Sequence, residues 1–329
     1  MYVGLTDARG LFQLAAEPIS NAVDLFLAGS ATEVRSLIHD DGSFEVVDDG
    51  PGINLADPRV LDWFEEFHDS PTADGHRPHI HVGHLGLGLA LVNYLSARMV
   101  VHTQYNGESL CVEWRDGARE RRQLDTRREP ELALGTSVRF WPDSSVFGAA
   151  VFPEETIAQR MNEVAAFIPG LTLSVYGRSW RFDDWQQGLA SIAGASGPSA
   201  GAERLSWADD GTKITTRVLV CRPADPELIQ TQVVQWRSAA RSVSMVPVKV
   251  YANCRPMDDH GEFLLRLADQ TQSTNALLGE NFAAVSHVVM AGPKITGPTR
   301  ARLDDARALT ALDRLLTEDW DQLIEELRL

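Results

Sequence analysis

Cysteine is scarce in this 329-residue chain: Cys111, Cys221 and Cys254 stand far apart and are odd in number. That spacing excludes a disulfide frame and a cysteine zinc site, and a reducing compartment, the cytoplasm, is expected. Apolar runs are short too, none approaching the roughly 20 residues that a bilayer-spanning helix needs. The first twenty residues include Asp7 and Glu17 and lack a basic start followed by an apolar stretch, so no signal peptide is read. Positive charge is in deficit. Thirty Lys and Arg face 46 Asp and Glu, a net charge of −16, so a broad grip on DNA or RNA is not expected, although a local basic patch is compatible with that total. Two phosphate-binding signatures are missing as well. There is no Walker lysine and no Gly-x-Gly-x-x-Gly after a strand, which argues against P-loop and Rossmann sites.

What remains is an ordinary globular composition, 44% hydrophobic and 23% charged. The length is too great for a typical single core and points to two domains. Leu11 to Ala28 reads as an amphipathic helix ending at Gly29, and 33–39 with 43–47 as a hairpin around Asp40-Asp41-Gly42. A short helix follows from Pro58 to Phe67, with Asp57 as N-cap, and a glycine-opened helix from about Leu85 to Ser96. Strands are expected at 99–104, 109–114, 136–141 and 171–176, with a helix at 154–167. The order α, hairpin, α, antiparallel strands describes a layered α+β sandwich. Ala193 to Ala202, rich in Gly, Ala and Ser, reads as a linker or long loop between a first domain at 1–192 and a second at 203–329. In the second, strands are expected at 213–221, 231–236, 246–251 and 283–290, and helices at 261–269 and 306–327.

Three segments carry the chemistry. Glu17 and Asn21 lie four residues apart on one face of the first helix. A carboxylate and a carboxamide so placed can hold a water and a hydrated Mg²⁺ side by side, which suits attack on a terminal phosphate. Asp48-Asp49-Gly50-Pro51-Gly52-Ile53 is a turn-rich loop closing a strand. Gly83-His-Leu-Gly86-Leu-Gly88 opens a helix with backbone N–H groups uncovered by side chains, as a polyphosphate requires. Together they describe a nucleotide site. His79-x-His81-x-x-His84 has a spacing that suits a transition metal, but no Cys or carboxylate sits among the three and phosphate contact is the alternative.

These residues resemble the ATPase half of bacterial type IIA topoisomerase B subunits, gyrase B and its topoisomerase IV relative, within the GHKL superfamily. Met1-Tyr-Val-Gly4, the Glu17–Asn21 helix, Asp48-Asp-Gly-Pro-Gly-Ile53, Gly86-Leu-Gly-Leu-Ala-Leu-Val-Asn93 and Gly135-Thr-Ser-Val-Arg-Phe-Trp-Pro142 carry the similarity. Asn253-Cys-Arg-Pro and Gly297-Pro-Thr-Arg-Ala-Arg-Leu303 resemble the transducer domain more sparsely. The resemblance implies a GHKL (Bergerat) sandwich followed by a transducer-like domain of ribosomal-protein-like fold, with ATP and Mg²⁺ as ligands. It implies Glu17 as general base, Asn21 as the Mg²⁺ ligand and Asp48 as acceptor of the adenine amino group. Gly50, Gly52 and Ile53 would lie against the base, with Thr136 supporting Asp48 through water. Gly83, His84, Leu85, Gly86, Leu87 and Gly88 match the phosphate-binding lid. Arg300 stands where the transducer lysine reaches the γ-phosphate.

The chain also departs from that family. It begins at the Met-Tyr motif, so that either the arm that wraps a partner subunit is lost or the true start lies upstream, and it stops after the transducer-like part. It is therefore expected not to act as a topoisomerase alone. Pro51 and Cys111 replace two arginines of the aminocoumarin pocket, so weak aminocoumarin binding is expected. The expectation is a stand-alone Mg²⁺-dependent ATPase of modest turnover, a nucleotide-gated subunit or regulator of a DNA-handling system. Its partners would be an unidentified protein and, with ATP, a second copy of itself, with no membrane. A non-hydrolysing ATP-binding scaffold or decoy is the alternative. A protein kinase of histidine-kinase type is disfavoured, because no helical hairpin with a phospho-acceptor His precedes the ATPase unit.

Overall fold

The structure, a computed structural model, describes residues 5–66, 88–124, 135–224, 233–237, 243–257, 261–296 and 302–328. Two compact units divide the chain: Met1–Ala165 with Gly170–Arg181, and Ala166–Pro169 with Phe182–Leu329.

In the first unit, helix α1 (Ala8–Leu27) is capped by Asp7, whose carboxylate accepts the Arg9 N–H at 2.9 Å. Its buried stripe includes Leu11, Leu14, Pro18 and Ala22; the three- and four-residue steps are those of one helical face. Glu17 and Asn21 flank that stripe, half-buried. The hairpin β1 (Glu33–Ile38) and β2 (Phe44–Asp48) follows, then α2 (Pro58–Glu65), capped by Asp57 through the Arg59 N–H at 3.0 Å. Helix α3 (Gly88–Tyr94) leads into β3 (Ser96–Tyr105), β4 (Glu108–Arg115), β5 (Glu120–Gln123) and β6 (Gly135–Pro142). The one-turn helix α4 (Ser144–Phe147), α5 (Glu154–Phe167), β7 (Thr172–Val175) and β8 (Arg178–Trp180) complete the set.

The eight strands form one sheet in the order β5-β4-β3-β6-β2-β1-β7-β8. Among the described residues of this sheet only β1 and β7 pair in parallel. Alternation sends Phe44, Val46, Val138, Phe140, Met99 and Val101 to the side covered by α1 and α3. Trp114 stacks on Phe64 of α2 with ring centroids 5.1 Å apart. Phe44, Phe140 and Phe152 form an aromatic trio at 5.0–5.9 Å.

The second unit runs α6 (Trp185–Ala193), β9 (Ala195–Trp207), β10 (Lys213–Pro223), β11 (Val233–Arg237), β12 (Val243–Ala252), β13 (Arg255–Pro256), α7 (Glu262–Leu278) and β14 (Ala283–Met290). A small hairpin, β15 (Ile295–Thr296) with β16 (Arg302–Leu303), precedes α8 (Ala306–Glu318) and α9 (Trp320–Leu327). Its main sheet has the order β11-β12-β14-β10-β9, with β13 added on β12. Phe263, Leu267, Leu312, Leu315 and Trp320 bury against Val218, Val248 and Val288. Both units are thus α+β, as the sequence pattern leads one to expect.

Three local expectations need correction. The Gly/Ala/Ser-rich run at 193–202 is not a linker or loop: it ends α6 and enters strand β9, which pairs antiparallel with β10 along most of its length. Ladder hydrogen bonds to a long neighbour, together with burial of Ala200 in the core, override the low strand propensity of Gly and Ala. The helix expected over 306–327 is two helices broken at Asp319, where Trp320 turns inward and donates its indole N–H to Thr274 at 3.0 Å. The third concerns the helix expected from about Leu85 to Ser96. Within the described residues it is Gly88–Tyr94, and Ser96 already belongs to β3.

Candidate nucleotide site

Strand register builds the site. Asp48 of β2 pairs with Thr136 of β6, and Thr136 pairs with Thr103 of β3. Three polar side chains therefore stand in one row on the helix-facing side of the sheet. The row two residues along is apolar, with Val46, Val138 and Val101 in the same strands. A polar row buried beneath helices is costly unless its atoms find partners.

Some of them do. Asp48 Oδ1 accepts the N–H groups of Gly50 at 2.9 Å and Thr136 at 3.3 Å. Thr103 Oγ1 accepts the Ile53 N–H at 2.9 Å and donates to the Gly135 carbonyl at 3.3 Å. The loop after β2 is thereby pinned across the strand ends. Gly52 sits at φ +76, and a Cβ there would lie 2.0 Å from the Gln104 carbonyl, so only glycine lets the loop close on β3. Asp49 faces the other way. It holds the Thr32 and Glu33 N–H groups at 2.7 and 2.9 Å, a loop-capping duty distinct from that of its neighbour.

Two atoms do not find partners. Asp48 Oδ2 accepts no hydrogen bond among the described residues, and Thr136 Oγ1 is buried with no partner. Burial pushes the Asp48 carboxyl up to about 6, with the nearby Asp49 charge adding to the rise and the two N–H donors opposing it. An unused carboxylate oxygen beside an unused hydroxyl is an acceptor-rich slot, suited to a ligand edge that carries N–H groups.

On the helix side, Glu17 reaches the opening of α3. A Cβ on Gly88 would lie 2.1 Å from Glu17 Oε2, so the first residue of α3 leaves the space that the carboxylate fills. Asn21, one turn further along α1, makes no side-chain hydrogen bond among the described residues. The structure thus brings Glu17 to Gly88, and Asp48 to Gly50, Thr136 and, through the loop, Gly52 and Ile53. Gly83, His84, Leu85, Gly86, Leu87 and Arg300 lie outside the described residues, as do Met1–Gly4 and the lid histidines. Thr103 was missed: a strand threonine carries no sequence signal of its own, and only the register shows it. Pro51 is exposed in the loop and Cys111 is fully buried; neither supplies a guanidinium.

Residues 6–145 match the family model for the histidine kinase-, DNA gyrase B- and HSP90-like ATPases. Over these residues the sandwich is a domain of the GHKL type, and the chain is homologous to DNA gyrase B. It is 35% identical to the DNA gyrase B protein of Mycobacterium tuberculosis over 181 residues, 53% of this chain and 26% of that protein. Against the mitochondrial DNA gyrase B protein of Arabidopsis thaliana the identity is 29% over 370 residues, covering 99% of this chain and 47% of the relative. The chain therefore spans between a quarter and a half of these relatives. In fold it resembles the 43K ATPase domain of Thermus thermophilus gyrase B, solved with an aminocoumarin (TM-score 0.64, 23% identity, 100% of this chain and 90% of that one). It also resembles the DNA gyrase B protein of Myxococcus xanthus (TM-score 0.68, 19% identity, 99% and 92%). Among the described residues no helix is long and apolar enough to cross a membrane.

Proposed function

We propose that the first unit binds ATP with Mg²⁺ and hydrolyses it, the second unit acting as a transducer-like domain. The observation that carries this reading is the buried, unpartnered Thr136 Oγ1 paired across the strands with the buried Asp48, whose Oδ2 accepts no hydrogen bond among the described residues, at the end of a GHKL sandwich. They fit the amino edge of adenine, with Gly50, Gly52 and Ile53 flanking the base. Asn21 would hold the metal, since Mg²⁺ favours one or two protein oxygens and completes its shell with waters and phosphates. When bound, the ion supplies charge neutralisation at the phosphates. Glu17 would orient a water and take its proton as the water attacks the γ-phosphorus and the bond to ADP breaks. Gly83 to Gly88 would carry the phosphates on backbone N–H groups. Most of the barrier reduction in such a site comes from positioning and electrostatics.

We further propose that this cycle gates contact with a protein partner in a DNA-handling system, with ATP favouring self-association of the chain. Steady-state phosphate release by the full chain and by Glu17→Gln tests the enzymatic part. The wild type is expected to release phosphate, and the variant to bind a non-hydrolysable ATP analogue equally while releasing at least 100-fold less. Binding without release by either protein would favour the non-hydrolysing scaffold.

A further inference from the structure

The sheet of the first unit has a second side, opposite α1 and α3, and it carries a cluster that the nucleotide site does not use. Glu113 of β4 is fully buried, yet it lies between three arginines from three adjacent strands. Its Oε1 accepts from Arg98 Nε of β3 at 2.6 Å and from Arg115 Nη2 of β4 at 3.0 Å; its Oε2 accepts from Arg122 Nε of β5. The three guanidiniums hold the Glu113 carboxyl down at about 2 against the opposing effect of burial.

This arrangement is unusual on charge grounds. Arg98 and Arg115 are directly opposite each other across the strands, a placement of like charges that is destabilising by itself. Among the described residues Glu113 is the one carboxylate hydrogen-bonded to these three cations, while Glu120 stands across from Arg115 on β5. Asp116 and Glu120 act on Arg115 only through space and hydrogen-bond none of its atoms. Each arginine gives Glu113 a single nitrogen. Their other N–H donors have no protein acceptor among the described residues. The side chains are 33%, 44% and 60% exposed, so those donors face solvent. Arg98 is further held by stacking on Trp141, 4.3 Å from the ring centroid.

We propose that Arg98, Arg115 and Arg122, gathered on Glu113, form a binding site for a phosphate-monoester dianion on the outer face of this sheet. A planar guanidinium offers paired donors that match phosphate oxygens, and three already gathered need little reordering on binding. A phosphate monoester offers three terminal oxygens to these donors, where a phosphodiester offers two. The dianion has two sources: free phosphate, or a phosphorylated side chain of a protein partner.

Calorimetric titration of the full chain at fixed ionic strength tests this with inorganic phosphate, a phosphoserine peptide and the same peptide unphosphorylated. Saturable binding of phosphate is expected, unchanged in Asp48→Asn and at least tenfold weaker in Arg115→Ala and Arg122→Ala. Arg122 is the most exposed of the three, and Arg122→Lys, which keeps the charge but loses the planar fork, is expected to lose affinity several-fold while folding normally. If the phosphoserine peptide binds at least tenfold tighter than free phosphate and its unphosphorylated form does not bind, the source is a phosphorylated partner. Equal affinities assign the site to free phosphate. The proposal is overturned if the arginine variants bind as the wild type does. It is equally overturned if chloride competes as well as phosphate, or if a single-stranded oligonucleotide without terminal phosphate binds more tightly than either probe.

Discussion

Two buried polar groups at strand ends, one in each unit, show how differently a fold can treat the same chemical demand. In the second unit Asn253 follows β12, buried, with both ends of its carboxamide hydrogen-bonded. Its Nδ2 donates to the Met290 carbonyl at 2.7 Å, its Oδ1 accepts the Met290 N–H at 2.9 Å, and its own N–H reaches the Val288 carbonyl at 2.9 Å. In the first unit Asp48 ends β2, equally buried, and leaves one oxygen unused beside the unused Thr136 hydroxyl. The first arrangement stabilises. The second costs stability and retains capacity for a ligand, which is how binding sites differ from structural networks. Orphan polar atoms alone do not mark a site, since Thr216 Oγ1 and His287 Nδ1 are also buried without partners. What sets Asp48 apart is the convergence of Gly50, Gly52, Thr136 and Thr103 around it.

The sharpest way to break this comparison is to remove each group in turn. Asn253→Ala leaves backbone groups of Met290 buried and unpaired, and is expected to cost about 3 kcal/mol in urea unfolding. Nucleotide affinity of the folded variant should stay unchanged. Asp48→Asn is expected to do the reverse. It keeps an oxygen for the Gly50 and Thr136 N–H groups but loses the charged acceptor, so affinity for an ATP analogue should fall roughly 10- to 100-fold by calorimetry.

The sign of the stability change follows from titration. The folded-state carboxyl of Asp48 titrates at about 6, above its ordinary value of 3.8. A raised carboxyl favours the fold at low pH and loses that contribution as pH climbs from about 4 to about 6. The wild type should therefore lose up to about 2 kcal/mol across that window relative to Asp48→Asn, read from unfolding midpoints at a series of pH values. Nucleotide binding runs the opposite way. Below pH 6 the protonated carboxyl no longer offers a free anionic acceptor, so affinity should fall on acidification in the wild type and stay flat in the variant.

The smallest effect sharpens the contrast most finely. Thr136→Val removes a hydroxyl that has no partner among the described residues, so thermal stability should hold or rise slightly. Analogue affinity should drop only a few-fold, about 1 kcal/mol.

Much of this was legible in the sequence, and the reasons are physical. Helical spacing places Glu17 and Asn21 on one face of α1, and the motif resemblance singles out Asp48 in a glycine-rich loop at the end of β2. Short local patterns such as these survive into structure because one helix turn or one tight loop fixes them. Thr103 stayed hidden because its role comes from strand register, which links residues far apart in the chain. Strand β9 stayed hidden for a related reason: its Gly/Ala/Ser composition reads as a loop until β10 pairs with it. The three arginines on Glu113 are likewise scattered over β3, β4 and β5, and only the sheet gathers them.

The uncommitted oxygens of Asp48 and Thr136 are proposed to receive a nucleotide base, with Glu17 and Asn21 at its phosphate end. A crystal structure of the chain with a non-hydrolysable ATP analogue and Mg²⁺ tests it most directly. The account predicts the adenine amino group within hydrogen-bonding distance of Asp48 Oδ2, and Glu17 and Asn21 turned toward the terminal phosphate. A nucleotide bound elsewhere, or seated with Asp48 untouched and Glu17 turned away, would contradict it.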